Sequence, residues 1–168
     1  MANTIRRQLT LFVSNDDAAT IEAIRSKYNL KQRKLIDCHV TLCREDEIEN
    51  IDAVLDNLAN LNEKPLIIYF GRVTRFNDRK GVLIPATNEN EAFHELRKQV
   101  LKGLNDNPGR QEPHITLMHP RNSTCTQKNF EEIEQLNLPS QLHFKSISLI
   151  EQVDGGQWKI LKTFKLPG

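Results

Sequence analysis

One tetrapeptide pattern occurs twice in this chain, as His39-Val40-Thr41-Leu42 and, 75 residues later, as His114-Ile115-Thr116-Leu117. Both copies lie in stretches that alternate as strands do. In the first, Ile36, Cys38, Val40 and Leu42 fall on one face, and Asp37, His39, Thr41 and Cys43 on the other. In the second, Pro113, Ile115 and Leu117 share a face, while His114, Thr116 and Met118 take the opposite one. Strand side chains repeat every two residues, so each motif projects its His and Thr together. The separation is close to half of the 168 residues, and each motif strand is followed by a helical pattern and then a strand or hairpin. That period predicts two similar lobes related by a pseudo-two-fold axis, each supplying one motif to a shared central cleft. An imidazole and a hydroxyl from each of two strands are what acid–base chemistry on one phosphate requires.

The rest of the chain reads as alternating strands and helices. Leu9 to Val13 is an opening strand, and Asp16 caps a helix through about Tyr28, with Ile21, Ile24 and Tyr28 at helical spacing. The first motif strand runs from about Leu35 to Cys43. Glu45 to Leu61 reads as one amphipathic helix with Ile48, Ile51, Leu55 and Leu58 on its stripe, and Pro65 separates it from a strand over Leu66 to Phe70. A turn at Asn77 to Gly81 leads into a strand at Val82 to Ile84. Asn88 to Leu104 is a helix, Pro113 to Met118 the second motif strand, and Thr126 to Leu136 a short helix. A final hairpin, Leu142 to Val153 and Trp158 to Leu166, turns at Asp154-Gly155-Gly156. The fold class is α+β with mostly antiparallel sheet, and residues 1–168 are expected to form a single two-lobed domain.

Composition narrows the partners. Lys and Arg number 23 against 22 Asp and Glu, a net charge of +1, which argues against coating long nucleic acid by bulk electrostatics. A small anionic substrate or an RNA end needs only a local basic patch. The three cysteines form no Cys-x-x-Cys pair, no apolar core of secretory-signal length is expected after the polar, basic Met1 to Gln8, and no stretch approaches a membrane span. A monomer in the reducing cytoplasm, without membrane attachment, is the expectation.

The motif residues resemble those of the two-histidine phosphoesterases, a group that includes the 2′–5′ RNA ligase-like proteins and the cyclic nucleotide phosphodiesterases. The paired His-φ-Thr-Leu motifs (φ apolar), Pro113 just before the second and the Gly-containing terminal hairpin carry the likeness, which runs on to Ser148–Glu151 and Trp158–Leu161. The resemblance implies a bilobal fold of two antiparallel sheets flanked by helices, with both motifs facing one water-filled cleft. It also implies metal-independent, cofactor-free chemistry on phosphodiesters linked through a ribose 2′ position, often 2′,3′-cyclic phosphates of nucleotides or RNA ends. The family's motif residues map onto His39, Thr41, His114 and Thr116. Arg44 matches the basic residue that members often carry soon after the threonine. His119 stands where RNA-acting members commonly carry Arg, and with Arg44 and Arg121 it makes up the candidate substrate-binding set.

Opening a cyclic phosphate needs water deprotonated on one side of phosphorus and a sugar oxygen protonated on the other. Two imidazoles across a cleft can do both near neutral pH. The threonine hydroxyls would donate to the non-bridging oxygens, where charge builds. Analogy makes His39 the acid and His114 the base; the residues themselves fit either order. Two other readings compete: a nucleotide or RNA-end binding module on an inactive scaffold, and a metal protein using His114, His119 and Cys125, with His39 as an optional further ligand. Outside the motifs, His94 is expected on the surface and His143 is assigned nothing. Arg72, Arg75, Arg79 and Lys80 read as a solvated hairpin edge, and Tyr69, Phe76 and Trp158 as packing residues. Cys38 is expected to be buried and inert, whereas Cys43 shares the His39 face and would line the cleft.

Overall fold

The computed structural model describes residues 2–167. The chain runs β1 (Ile5–Phe12), α1 (Asn15–Tyr28), α2 (Leu30–Leu35), β2 (His39–Cys43), a 3-10 turn (Glu45–Glu47), α3 (Ile51–Ala59), β3 (Leu66–Tyr69), β4 (Thr74–Arg75) and β5 (Val82–Pro85). It continues through α4 (Glu91–Val100), β6 (His114–Met118), α5 (Gln127–Glu134), β7 (Gln141–Phe144), β8 (Ser146–Val153) and β9 (Lys159–Lys165).

Two copies of one unit account for most of this order: β1-α1-β2-α3-β3 and β5-α4-β6-α5-β7. The strand pairing follows the same pseudo-two-fold relation. Seven strands form an antiparallel sheet in the order β4-β5-β6-β2-β1-β8-β9, and β3 pairs with β7 in a second sheet. The two halves join where Val40 of β2 lies opposite Ile115 of β6. The architecture is α+β and antiparallel, as read, but the sheets are not divided one per half. Each is shared, because the motif strands hydrogen-bond to each other directly.

Burial fixes which way the motifs face. Leu9, Leu11, Val40, Leu42, Val82, Ile84, Ile115 and Leu117 sit in one core with Ile21 and Ile24 of α1 and Phe93 and Leu96 of α4. Each such side chain is worth about 1.5–3 kcal/mol when buried. A one-residue register slip would turn this set to solvent, so the alternation that fills the core also holds His39, Thr41, His114 and Thr116 on the opposite face.

Local departures have local causes. Leu30 to Leu35 forms α2, because Lys31, Gln32, Arg33 and Lys34 are good helix formers, and the first motif strand therefore starts at His39 rather than Leu35. The helix expected from Glu45 breaks in two: the Asn50 side chain accepts from Ala53 N (3.4 Å) and starts α3 afresh. Positive φ at Asn88 (66°) and Asn90 (50°) delays α4 to Glu91. The run from Leu142 divides at Lys145 because its buried phase changes, from Leu142 and Phe144 to Ile147 and Leu149, and the chain crosses from one sheet to the other.

Candidate active site

With Val40 opposite Ile115 in an antiparallel pair, His39 faces Thr116 and Thr41 faces His114 across the strands. Facing residues have Cβ atoms about 4.5–5.5 Å apart, so the four side chains form one square. Each imidazole turns its Nδ1 to the carbonyl two residues back, at different distances. His39 Nδ1 lies 2.7 Å from the Asp37 carbonyl oxygen and His114 Nδ1 lies 3.3 Å from that of Glu112. The Nδ1–H of each donates to the carbonyl two residues back, leaving Nε2 available. Phe12 meets the His39 ring edge-on and Phe76 meets His114 the same way, each at 6.0 Å between centroids.

The square opens into a cavity of about 170 Å³ whose lining also includes Arg6, Gln8, Arg25, Gln32, Ile36, His119, Arg121 and Trp158. Among the described residues, no carboxylate lines it. An adjoining groove of about 660 Å³ shares Arg6, Gln8, Thr41 and His114 with the cavity and adds Arg44, Gln111, Glu45, Asp46 and Glu49. His119 and Arg121 therefore stand in the inner cavity with the motifs, while Arg44 stands in the outer groove, its Nε donating to Gln111 Oε1 (3.3 Å).

Electrostatics separates the histidines. The His39 ring is half-buried, and desolvation pushes its pKa down to about 4, against the stabilising Asp37 carbonyl and with Arg25 and His114 adding to the depression. His119 is also lowered, first by desolvation and then by Arg121 and Arg6. Its Nδ1 accepts from the Arg121 backbone N–H (3.1 Å), which places the ring proton of the neutral form on Nε2. Gln8 Nε2 donates to Thr10 Oγ1 (2.9 Å) and reaches Thr41 Oγ1 (3.5 Å), so the Thr41 hydroxyl keeps its own hydrogen to donate.

Four residues of the cavity, Arg6, Gln8, Arg25 and Gln32, are absent from the sequence reading. A strand begun at Ile5 instead of Leu9 shows Arg6, Gln8 and Thr10 at period two, which is the signal for the first pair. Trp158, read as packing, lines the cavity with the Arg6 guanidinium 5.4 Å from its ring centroid. Cys43 does not line the cleft. The register skips from Leu9↔Cys43 to Thr10↔Thr41, a bulge at Leu42 that turns Cys43 into the core, where burial pushes its thiol up to about 12. The matching bulge at Leu117, between Val82↔Met118 and Leu83↔Thr116, buries Met118. Cys38 is buried as expected. His94 is buried rather than on the surface, its ring edge-on to Phe93. Arg75 is half-buried over the Phe130 ring, not at a solvated edge.

Two buried braces tie the halves together beside the cavity. The His119 N–H donates to Asn29 Oδ1 (2.7 Å), Asn29 Nδ2 donates to Asn122 Oδ1 (2.9 Å), and Asn122 Nδ2 donates to Gln32 Oε1 (2.8 Å). In the opposite sense, Arg97 of α4 donates to the Leu42 carbonyl (2.5 Å), to Glu47 Oε2 (2.7 Å) and to the Gly109 carbonyl (3.3 Å). Burial would raise the Glu47 carboxyl, but Arg97 and the Arg44 N–H outweigh it and hold it below its ordinary range.

A sequence model of the 2′-5′ RNA ligase superfamily matches residues 13–156, a span that contains both motifs. The chain belongs to the 2′-5′ RNA ligase superfamily. A search of curated proteins finds no match. Among solved structures, the superfamily member is similar to E. coli LigT in its apo form, at 14% identity over 100% of both chains with a TM-score of 0.70. It is also similar to E. coli LigT complexed with 3′-AMP (13% identity, 97% of this chain and 98% of that one, TM-score 0.65). The protein TT0787 of Thermus thermophilus matches at 17% identity over 97% of this chain and 98% of its own, with a TM-score of 0.59. At such identities the likeness establishes the shared fold along the whole chain. Among the described residues, no three of His, Cys, Asp and Glu converge as a metal-ligand set, and no helix is long and apolar enough to cross a membrane.

Proposed function

We propose that this superfamily member is a metal-independent phosphodiesterase, a single two-lobed domain that opens 2′,3′-cyclic or 2′-linked phosphodiesters of nucleotides or RNA ends. The lining of the inner cavity carries the reading: three imidazoles, two threonine hydroxyls and three guanidiniums meet there, with no carboxylate among the described residues. Such a wall suits one phosphate anion and little else. That solved E. coli LigT structures are complexes with phosphate, 3′-AMP, ATP and NADP+ supports a phosphate or nucleotide ligand for this relative.

The chemistry follows from the square. His114 takes the proton of the attacking water, the new P–O bond forms, and the bond from phosphorus to a ribose oxygen breaks as His39 protonates that oxygen. In the free protein desolvation keeps His39 neutral, so it gains its proton together with the substrate, whose phosphate supplies the counter-charge. The shorter bond from His39 to Asp37 (2.7 Å, against 3.3 Å at His114) steadies the imidazolium and supports His39 as the acid. Thr41 and Thr116 donate to the non-bridging oxygens. His119 and Arg121 hold the substrate on the inner side and Arg44 on the outer.

The test is hydrolysis of the four 2′,3′-cyclic nucleoside monophosphates in excess chelator, with product isomers read by phosphorus NMR. His39→Ala and His114→Ala are each expected to lose at least about 10²-fold in turnover. Folded wild-type protein that turns over none of these, nor 2′–5′ dinucleotides or RNA ends, would overturn the reading in favour of a binding module.

A further inference from the structure

The fold is two-fold symmetric, yet the two motif histidines sit on differently built supports. Arg25 of α1 is 2% exposed and forms part of the cavity wall. Its Nη1 donates to Glu22 Oε1 (2.5 Å) and its Nη2 to the Ile36 carbonyl (2.8 Å). Glu22 Oε2 accepts from the Cys38 N–H (3.1 Å). The Glu22–Arg25 pair thus grips the carbonyl of residue 36 and the amide of residue 38, and between them lies Asp37, whose carbonyl orients the His39 ring. Arg33 closes the arrangement from α2, pairing with Glu22 (3.2 Å) and with Asp37 Oδ1 (2.7 Å). In the other half, the buried arginine of the corresponding helix, Arg97, directs its bonds to Leu42, Glu47 and Gly109 instead, and the Glu112 carbonyl stands farther from His114, at 3.3 Å.

We propose that Arg25 is a positioning residue for His39 that makes two symmetric motifs chemically unequal. It pins the Asp37 carbonyl against the ring and places a permanent buried positive charge beside it. The inference deepens the phosphodiesterase reading and rests on that reading only where turnover is concerned.

The charged groups around His39 define what Arg25 does. Arg25 faces the ring from α1, His114 from β6 and Asp37 from its own segment, while Arg6 of β1 and His119 and Arg121 beyond β6 line the same cavity. In the free protein an imidazolium would stand among cations; the Asp37 carboxylate favours it, while the Glu22 carboxylate is committed to Arg25 and the Cys38 N–H. When a phosphodiester monoanion enters, its charge offsets the guanidiniums, and His39 can take one proton from solvent. Arg25 thereby couples arrival of the proton to arrival of the anion, and only a substrate-loaded site carries the acid.

The experiment follows the ¹⁵N-labelled imidazole of His39 by NMR against pH in the free protein, alongside kcat and KM for a 2′,3′-cyclic nucleotide. In Arg25→Gln the His39 midpoint is expected to rise by about half a pH unit or more. Turnover should fall by about tenfold or more, and by a larger factor than KM rises, because the ring is misaimed in addition to the anion losing one guanidinium of the wall. Arg25→Lys, which keeps the charge and loses the fork, should bring the midpoint back toward wild type without restoring kcat. If Arg25→Gln does not fold, Glu22→Gln/Arg25→Gln removes both members of the pair and is expected to move the midpoint in the same direction. A His39 midpoint unmoved in a folded variant, or full turnover in it, overturns the proposal. The NMR arm needs no catalysis: a midpoint that moves in a protein cleaving no phosphodiester supports the role of Arg25 and overturns the phosphodiesterase reading.

Discussion

Desolvation brings the His39 imidazole to about 4, where an ordinary histidine titrates near 6.5. The unfolded chain therefore binds a proton below about pH 6.5 that the folded ring refuses until about pH 4. Folding stability stands at its plateau above the upper value and is lost as pH falls through this window toward the lower one. His94 and His119 are displaced in the same direction by burial and add to the slope. Urea unfolding at about pH 7.5 and about pH 5 checks this: wild type is expected to lose about 1–2 kcal/mol more than His39→Asn between the two conditions, the ring's remaining solvent contact holding the figure there. The same burial that makes this residue costly to charge makes it responsive to an arriving anion.

Two helices owe their starting points to single side chains. Thr126 Oγ1 accepts from Asn129 N (3.1 Å) while Asn129 Oδ1 accepts from Thr126 N (3.2 Å), a reciprocal cap that satisfies two N-terminal donors of α5. Asn50 caps α3 alone. Thr126→Ala and Asn50→Ala are each expected to lower stability by about 1 kcal/mol in denaturant unfolding. The weaker cap, with its 3.4 Å contact, should show the smaller loss. These caps also explain where sequence reading of the elements succeeds. Thr126 precedes an apolar stripe at Phe130 and Ile133, so its helix is visible from pattern. Asn50 interrupts a stripe that continues through it, and the break from Glu47 to Ile51 shows only once the side chain is seen accepting from the backbone.

Across the whole molecule, side-chain hydrogen bonds join the two halves. Arg97 joins the end of β2 to the segment before β6, and Asn29 joins the end of α1 to the loop after β6. Arg97→Met leaves the Leu42 carbonyl and the Glu47 carboxylate without their partner and is expected to cost about 3–5 kcal/mol, read from urea midpoints. Glu47→Gln removes the anion beside the buried Arg97 guanidinium and sets an amide NH2 against one of the donors that Glu47 accepts from, so it too is expected to destabilise, by less than Arg97→Met because the bonds from Arg97 to the Leu42 and Gly109 carbonyls remain. Equal losses in the two variants would show that the brace acts only as an ion pair.

Period-two alternation is a local property of the backbone, so which strands carry the motifs, that His and Thr share a face, and that the chain repeats itself were all legible in the residues. The α+β class followed from the same patterns. Positions across strands are not local. The pairing of Val40 with Ile115 closes the square, and the bulges at Leu42 and Leu117 that bury Cys43 and Met118 arise from how neighbouring strands count residues against each other. Arg25 shows the limit most clearly: it falls beside the Ile21, Ile24 and Tyr28 stripe with nothing along the chain to name its partners, and it is a buried wall of the cavity because Glu22 and the Ile36 carbonyl take up its donors. Spacing along a chain specifies direction, whereas desolvation and charge depend on what the rest of the fold packs around a group. For that reason the two histidines are equivalent as a motif and unequal as a site.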